Sequence, residues 1–232
     1  PFFSILVISF LSAVIDAQET SAVIEDVIVT AEKRTESLQD LSQAVTVLSS
    51  DDLDKKQIST FVDISAIAPG VNVAKNEGFK TVITIRGVGY ETNQNAIATP
   101  SVSYHLDGIY IASPYSLQTE FMDLERIEVL RGPQGTLFGQ NSTGGAINVI
   151  TAAPSLEESS SYGDITVGDY SLIKTRASFN RPLSENVAVR ASFITHKRDG
   201  FTDNLSTGQD LDDADSISAR IRFLYQPSET FR

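Results

Sequence analysis

The sequence predicts an α+β domain over residues 37–154, followed over residues 155–232 by antiparallel strands with one apolar and one polar face. Up to Pro154, short β-prone segments are interleaved with two short helical segments, which is typical of an α+β domain. Two apolar strands flank a glycine-dense stretch at 132–145, where glycine permits tight turns. After Pro154 apolar residues recur at every second position, the period of a β-strand.

The composition excludes several classes of protein. The chain has 232 residues, enough for one or two domains with a hydrophobic core, and 30 acidic residues against 18 basic ones. Nucleic-acid-binding domains usually present a basic surface, so this balance disfavours them. The chain has no cysteine, which excludes disulfides and thiolate metal sites.

Residues 1–15 form an apolar run that is too short to span a bilayer as a helix. With Ala17 as a small residue at a cleavage site, residues 1–17 are predicted to be part of a secretory signal peptide. The run lacks a basic region and an initiator Met, which predicts truncation at the N-terminus. A buried hydrophobic helix is the alternative. The absence of another long apolar segment disfavours a protein that spans the inner membrane.

Helix and strand signals follow one another through the α+β domain. Ser49 and Ser50 followed by Asp51 and Asp52 favour a helix start after a strand at 44–48. A second helix is predicted over 61–68, from Thr60 as N-cap to the stop at Pro69-Gly70. Further strands are predicted at 71–73, 82–85, 101–104 and 108–111, the last two around a turn at 105–107.

The most informative stretch is residues 123–154, DLERIEVLRGPQGTLFGQNSTGGAINVITAAP. A strand that starts at Leu124 must stop at Pro133, because proline cannot donate to a β-ladder. Ala146 begins a second strand of small and β-branched residues. The turn residues between the strands are Gly132, Pro133, Gly135, Gly139, Gly144 and Gly145.

This order of strand, glycine-rich turns and strand closely resembles the end of the plug domain in TonB-dependent outer-membrane receptors. Residues 84–87 (TIRG) and 102–110 (VSYHLDGIY) also resemble plug motifs, so the resemblance covers the whole domain at 37–154. It implies a plug that closes a transmembrane β-barrel of about 22 strands.

Residues 27–31 are a β-prone segment preceded by two acids, Glu25 and Asp26, and by composition alone this stretch fits an ordinary edge strand equally well. Their position before the plug resembles that of the TonB box, which pairs as an added strand with the periplasmic protein TonB. The resemblance therefore implies a periplasmic segment at 18–36 that carries this box: Glu25, Asp26, Val27, Ile28, Val29, Thr30 and Ala31. The short spacing before the box leads us to expect no N-terminal signalling domain.

Four segments after Pro154 alternate apolar and polar residues, around 165–167, 173–180, 187–196 and 217–225. The alternation alone fits a soluble sandwich or a transmembrane barrel; with the resemblance it predicts about the first four strands of a barrel. The chain is then expected to be a fragment, and four open strands are not expected to insert stably.

The alternation also predicts how these strands are oriented. The arginine-bearing faces are expected to line the lumen and the aliphatic faces to contact lipid. Turns at 181–186 and 226–230 are predicted to be periplasmic and the loop at 197–213 extracellular. Aromatic girdles at the strand ends are predicted from Phe179, Phe193 and Tyr225.

The resemblance implies two further groups of site residues, although the residues themselves also fit solvent-facing positions. The first pairs the plug with the barrel, the arginines facing acids that would lie beyond Arg232: Arg86, Arg126 and Arg131, with Glu125 and Glu128. The second lies in apical loops at 89–100 and 113–120 that would face the ligand: Tyr90, Thr92, Asn93, Gln94, Tyr115 and Gln118.

The predicted function is TonB-dependent active transport of a scarce nutrient across the outer membrane of a Gram-negative bacterium. A ferric siderophore is the expected ligand; cobalamin, haem, a nickel chelate or an oligosaccharide are alternatives. Expected partners are TonB with its inner-membrane energising complex, the ligand and outer-membrane lipid. No catalytic constellation, cofactor motif or metal-ligand spacing is apparent. A soluble periplasmic plug-like binding module and a secreted β-rich enzyme are the alternatives from other classes.

Overall fold

The computed structural model describes residues 28–29, 36–37, 44–76, 80–89 and 99–228. The predicted signal peptide at 1–17 lies outside these residues. The elements up to residue 151 are β1 Ile28–Val29, β2 Glu36–Ser37, β3 Ala44–Ser49, α1 Ser50–Lys55, α2 Phe61–Ile64, β4 Val71–Asn76, β5 Lys80–Ile85, β6 Val88–Gly89, β7 Val102–Leu106, β8 Ile109–Tyr110, a 3₁₀ helix Pro114–Gln118, β9 Leu124–Arg131, α3 Gly135–Phe138 and β10 Gly145–Thr151. The later strands are β11 Ser160–Gly168, β12 Leu172–Ser184, β13 Val187–Arg198, β14 Thr202–Asp203, β15 Asp210–Leu211 and β16 Ala214–Tyr225.

The α+β domain is built on a five-stranded sheet in the order β3-β9-β10-β7-β8, with a second sheet β4-β5-β6. Strand β10 runs parallel to β7 and antiparallel to β9, so the two strands of the glycine-rich motif are neighbours at the centre of the sheet. Ile127, Val129 and Ile147 on these strands are completely buried. The ring of Phe61 on α2 lies 4.8 Å from those of Tyr104 and Phe121, both edge-on, which places α2 on the core.

The predicted helix starts are confirmed. The Ser49 hydroxyl accepts a hydrogen bond from the Asp52 amide at 3.2 Å, and the Asp52 carboxylate accepts one from the Ser49 amide at 3.3 Å. The hydroxyl also lowers the pKa of Asp52. Helix α2 is shorter than the predicted 61–68. After Ile64 the chain continues through turns, and the Ser65 hydroxyl accepts a hydrogen bond from the Val73 amide of β4 at 2.8 Å.

The turn predicted at 105–107 is wrong in position. Strand β7 continues through His105 to Leu106, and the turn lies at Asp107-Gly108, where φ is +49° and +80°. A two-residue hairpin with a type I′ turn needs positive φ at both central positions, which suits an Asp-Gly pair. The glycine-rich stretch contains a single helical turn, α3, where the sequence predicted turns alone.

Strands β11-β12-β13-β16 form a separate antiparallel sheet, the four-stranded sheet. Large apolar residues on one face of it are exposed, as the predicted alternation requires: Ile165, Val167, Ile173, Phe179, Ile217, Ile221 and Phe223. Ile194 of β13, by contrast, is buried. The four predicted strand segments are therefore confirmed, although each strand is longer than predicted.

Three details of the four-stranded sheet differ from the predictions. Strand β12 runs through Pro182 to Ser184, inside the predicted turn at 181–186. Pro182 is tolerated because β11 pairs with β12 only as far as Asn180, and a register shift follows it. Phe179 and Phe193 lie mid-strand, so their placement at strand ends is wrong; Tyr225 does end β16. The loop at 197–213 carries the small hairpin β14-β15.

Among the described residues, no helix is both long and apolar enough to cross a membrane.

Candidate functional site

The polar face of the four-stranded sheet lies against the α+β domain. The sheet contributes mostly cations and the domain mostly carboxylates. These contacts link residues that are 54 to 122 positions apart in the chain, so they fix the two parts of the molecule to one another. We call this contact surface the seam. Its charged members are Lys174, Arg176, Arg190, His196, Arg220 and Arg222 from the sheet, and Asp54, Asp107, Glu120 and Asp123 from the domain.

Asp123 lies at the centre of the seam. Arg190 binds its carboxylate with two hydrogen bonds, Nε to Oδ2 at 2.7 Å and Nη2 to Oδ1 at 2.6 Å. Ser192 donates a third hydrogen bond to Oδ2. Arg220 Nη2 donates to the backbone carbonyls of Met122 and Asp123 at 2.7 and 2.8 Å. Such bidentate carboxylate–guanidinium pairs are geometrically specific as well as strong.

The backbone at Asp123 has a φ of +51°, which is uncommon for a residue other than glycine. This conformation starts strand β9 while Asp123 faces the four-stranded sheet. Burial alone would raise the pKa of the Asp123 carboxyl, but hydrogen bonds from Arg190 and Ser192 and the charges of Arg190 and Arg220 outweigh it, so the net pKa is lowered.

This shift gives a prediction about pH. We expect the Asp123 carboxyl to stay ionised below the ordinary aspartate pKa of 3.8. Because the folded-state pKa is lowered, the stabilisation from Asp123 is fully present above 3.8 and is lost only as the pH falls through the folded-state pKa. The infrared difference spectrum between the wild type and Asp123→Asn should keep its carboxylate band at pH 3.8. Half-protonation at or above that pH would contradict the predicted direction.

Glu120 makes a second contact with the four-stranded sheet. Lys174 Nζ lies 2.5 Å from Glu120 Oε2, and His196 Nδ1 contacts Oε1. The side chains of all three are less than 20% exposed. Glu120 follows the 3₁₀ helix, so the contact ties that part of the chain to β12 and β13.

Two further contacts lie at the edges of the seam. Arg222 Nη1 donates to the Thr151 carbonyl at 3.0 Å and lies 3.8 Å from Asp107 Oδ2. Arg176 pairs with Asp164 of its own sheet at 2.7 Å and with Asp54 of α1 at 3.0 Å. The Asp54 side chain is 46% exposed, so water screens this pair more than the pairs of Asp123.

Three of the residues predicted to pair the plug with the barrel contact one another: Glu125, Arg126 and Glu128. Arg126 pairs with Glu125 and with the fully buried Glu128, whose second oxygen accepts a hydrogen bond from Asn148 at 3.0 Å. These acids and Arg126 therefore hold one another within the α+β domain. Arg86 is exposed. In the described structure Arg131 Nε is buried without a hydrogen-bond partner.

The structure describes only some of the other predicted site residues. Ile28 and Val29 of the predicted TonB box pair antiparallel with Ser37 and Glu36, while the rest of the box lies outside the described residues. Tyr90, Thr92, Asn93 and Gln94 also lie outside them. Tyr115 and Gln118 fall in the 3₁₀ helix, where Gln118 is exposed.

The glycine motif packs closely where β10 begins. Gly132, Gly139 and Gly145 have φ values of +106°, +77° and +150°. A Cβ at Gly145 would come within 2.3 Å of the Leu130 carbonyl oxygen and 2.8 Å of Ile85 Cδ1. Gly144 has a similarly close neighbour, since its Cβ would lie 3.0 Å from Val88. The motif therefore lets three strands meet.

The carboxylates of the seam are not predicted by the sequence, although one feature of it points to them. The even-numbered polar faces of β12, β13 and β16 all carry cations, and in the register of the sheet Lys174 lies opposite His196 and Arg190 opposite Arg222. Cations on a sheet face that becomes covered require acidic partners opposite them. Asp123, next to the glycine-rich motif, was available for that role.

Comparison with known proteins shows which family the chain belongs to. Residues 37–146 match the family described as TonB-dependent Receptor Plug Domain. The chain is 31% identical over 209 residues to the pesticin receptor of Yersinia pestis, a match that covers 86% of this chain and 29% of that protein. It is 28% identical over 166 residues to the vitamin B12 transporter BtuB of Vibrio vulnificus, covering 67% and 25%.

A solved structure agrees with the fold. The ferric yersiniabactin uptake receptor FyuA from Yersinia pestis superposes with a TM-score of 0.70 at 24% identity, over 81% of this chain and 29% of that one. The chain thus spans less than a third of the length of these relatives. The predicted fold class is confirmed: an α+β plug domain followed by the first antiparallel strands of a transmembrane β-barrel. The chain belongs to the TonB-dependent receptors.

Proposed function

We propose that the protein carrying this chain is an active transporter of the outer membrane that imports a ferric siderophore with energy supplied through TonB. The observation that carries the proposal is the seam. Four amphipathic strands hold a plug domain on their polar face and leave their apolar face exposed, the arrangement expected of a plug inside a lipid-embedded barrel. Lipid would then be the partner of the apolar face.

The domain assignments extend the proposal. Residues 1–17 would be a signal peptide, residues 18–36 a periplasmic segment with the TonB box at 25–31, residues 37–154 the plug and residues 155–232 the first barrel strands. The β-ladder of Ile28 and Val29 supports the box, because strand addition needs an extended backbone that can pair. Ligand binding outside and TonB binding inside would be coupled through the plug.

Two of the remaining predicted groups keep their roles in this proposal. Arg86 is exposed and Arg131 has a buried Nε without a partner among the described residues, so both can pair with acids of the barrel. The loops at 89–100 and 113–120 would face the ligand, with Tyr115 and Gln118 in the second. Arg126, Glu125 and Glu128 would act by stiffening β9, since they are held within the plug.

The names of the relatives bear on the ligand. The ferric yersiniabactin uptake receptor favours a ferric siderophore, and the vitamin B12 transporter favours cobalamin. We expect cells that carry the full-length protein to accumulate radiolabelled ferric yersiniabactin or another ferric siderophore. Collapsing the proton gradient should stop accumulation and leave surface binding. Accumulation of cyanocobalamin alone would replace the proposed ligand, and accumulation that survives the collapse would contradict energised transport.

Transcript levels in iron-starved and iron-replete cells discriminate the ligands independently. Strong induction on starvation supports a ferric chelate. An unchanged level favours cobalamin or a carbohydrate.

A further inference from the structure

Four consecutive residues, Glu120 to Asp123, join the core of the plug domain to the barrel strands; we call them the strap. The Phe121 amide donates to the Ser59 carbonyl at 2.8 Å, and its ring packs edge-on against Phe61 in the core. The side chains at the two ends of the strap point the other way and contact the barrel strands. The strap therefore has one residue in the core between two that bind the barrel.

Five barrel side chains from three strands converge on the strap. They are Lys174 on β12, Arg190, Ser192 and His196 on β13, and Arg220 on β16. Arg220 binds the strap's backbone carbonyls rather than a side chain, so it recognises the path of the chain itself. Because side chains of three strands bind both the backbone and the carboxylates of the strap, they attract the strap and also fix its position.

The other contacts of the seam hold the plug domain on the barrel strands less firmly. Asp54 is half-exposed where it meets Arg176, and water weakens such a pair. Asp107 accepts hydrogen bonds from the Thr151 amide and hydroxyl at 2.8 and 2.7 Å, while Arg222 lies 3.8 Å away. By contrast, the Asp123 side chain is 10% exposed and its carboxylate is bound directly by the barrel.

We propose that the strap seats the plug on the barrel wall, with Asp123 as the positioning residue and Glu120 as a second attachment. The inference rests on the proposed function, because an unseated plug matters only in a protein whose barrel it closes. Removing the Asp123 charge leaves Arg190 without its bidentate partner in a largely dry interface, which is costly for the seated state. The unseated state then gains population and opens a path for solutes too large for ordinary porins.

The test measures passive leak through the full-length receptor in cells without TonB, so that energised transport does not contribute. The probe is vancomycin, scored as growth inhibition and as entry of its fluorescent derivative. We expect Asp123→Asn to speed entry about tenfold. The matched control is Asp54→Asn, which makes the same chemical change at the exposed edge of the seam and should leave entry within about twofold of the wild type.

A double-mutant cycle separates positioning from general damage. If Asp123 acts through Arg190, the double variant Asp123→Asn/Arg190→Gln should leak no more than the leakier single variant. Additive leaks would show that the two residues act independently and would overturn the role of Asp123. Equal leaks from Asp123→Asn and Asp54→Asn would overturn it too.

A second variant keeps the test decisive if Asp123→Asn fails to reach the outer membrane. Glu120→Gln removes the other attachment and leaves the Asp123 hydrogen bonds in place, and it should also raise entry; wild-type entry would then refute the strap. A failure of the proposed transport function can be distinguished from a failure of the strap proposal. Leak that follows the prediction without energised uptake of any ligand would support the strap and reject the transporter, and the reverse result would reject the strap alone.

Discussion

Replacing Ile28 with proline should abolish energised uptake by the full-length protein while ligand binding at the cell surface survives. Ile28 and Val29 form a two-residue β-ladder with Ser37 and Glu36, so this backbone is already extended. Strand addition to TonB would use the same kind of backbone hydrogen bonds. Proline has no N–H to donate and cannot make its bond in that ladder. The ligand site would lie far from residue 28, on the other side of the plug, and should be unaffected.

The control for this variant is Ile28→Val, which keeps both the backbone N–H and a β-branched side chain. It should transport at close to the wild-type rate, with both variants equally abundant in the outer membrane. Uptake and surface binding of the same radiolabelled ligand are measured in parallel. Normal uptake by Ile28→Pro would show that residues 25–31 are not the TonB box.

Gly145→Ala should destabilise the plug domain more than any other single methyl addition in the glycine motif. Gly145 has a φ of +150°, and its added Cβ would meet the Leu130 carbonyl oxygen at 2.3 Å. That oxygen belongs to the neighbouring strand β9, so the clash can be relieved only by moving the two central strands apart. Backbone strain and overpacking together predict a loss of roughly 3–5 kcal/mol.

Gly135→Ala is the matched control, because a Cβ at Gly135 meets nothing within 4 Å and its φ is not positive. It opens helix α3, where alanine is a better helix former than glycine, so we expect no loss of stability. Hydrogen exchange of β9 and β10 in the purified receptor reports both effects as opening free energies. Equal protection in the two variants would refute the role given to Gly145.

The central motif of the plug could be predicted from sequence because its information is local. Proline and glycine mark the ends of β9 and β10 within some 20 residues, and the flanking strands are apolar enough to be unmistakable. Strands β12, β13 and β16 could also be predicted from their alternation of apolar and polar residues. A strand with one face in lipid and one in a polar interior has a strict period of two.

The seam could not be predicted in the same way. Asp123 and Arg190 are 67 positions apart, and nothing in the spacing of either shows that they meet. The resemblance implies barrel contacts for the arginines of the plug, but one of these, Arg126, is held inside the domain by Glu125 and Glu128. In the seam the plug contributes the carboxylates and the barrel strands contribute the cations, while the pairing of Arg86 and Arg131 with acids beyond Arg232 stays a prediction.

Two short helices of the plug could not be predicted from the sequence either. Helix α3 has four residues and the 3₁₀ helix has five, so both are too short for an apolar period to develop. The mid-strand positions of Phe179 and Phe193 follow from strands β12 and β13 being longer than their apolar patterns indicated.

Cross-linking at the box tests the central claim, that ligand binding outside is coupled to TonB through this chain. The chain has no cysteine, so Ile28→Cys carries the only thiol in these 232 residues and can be labelled with a short photoactivatable cross-linker. Asp213→Cys, in the loop predicted to be extracellular, is the control. We expect a cross-linked product with TonB only from position 28, with a yield that rises when ferric siderophore is added. A product absent at position 28, or equally abundant with and without ligand, would contradict the account.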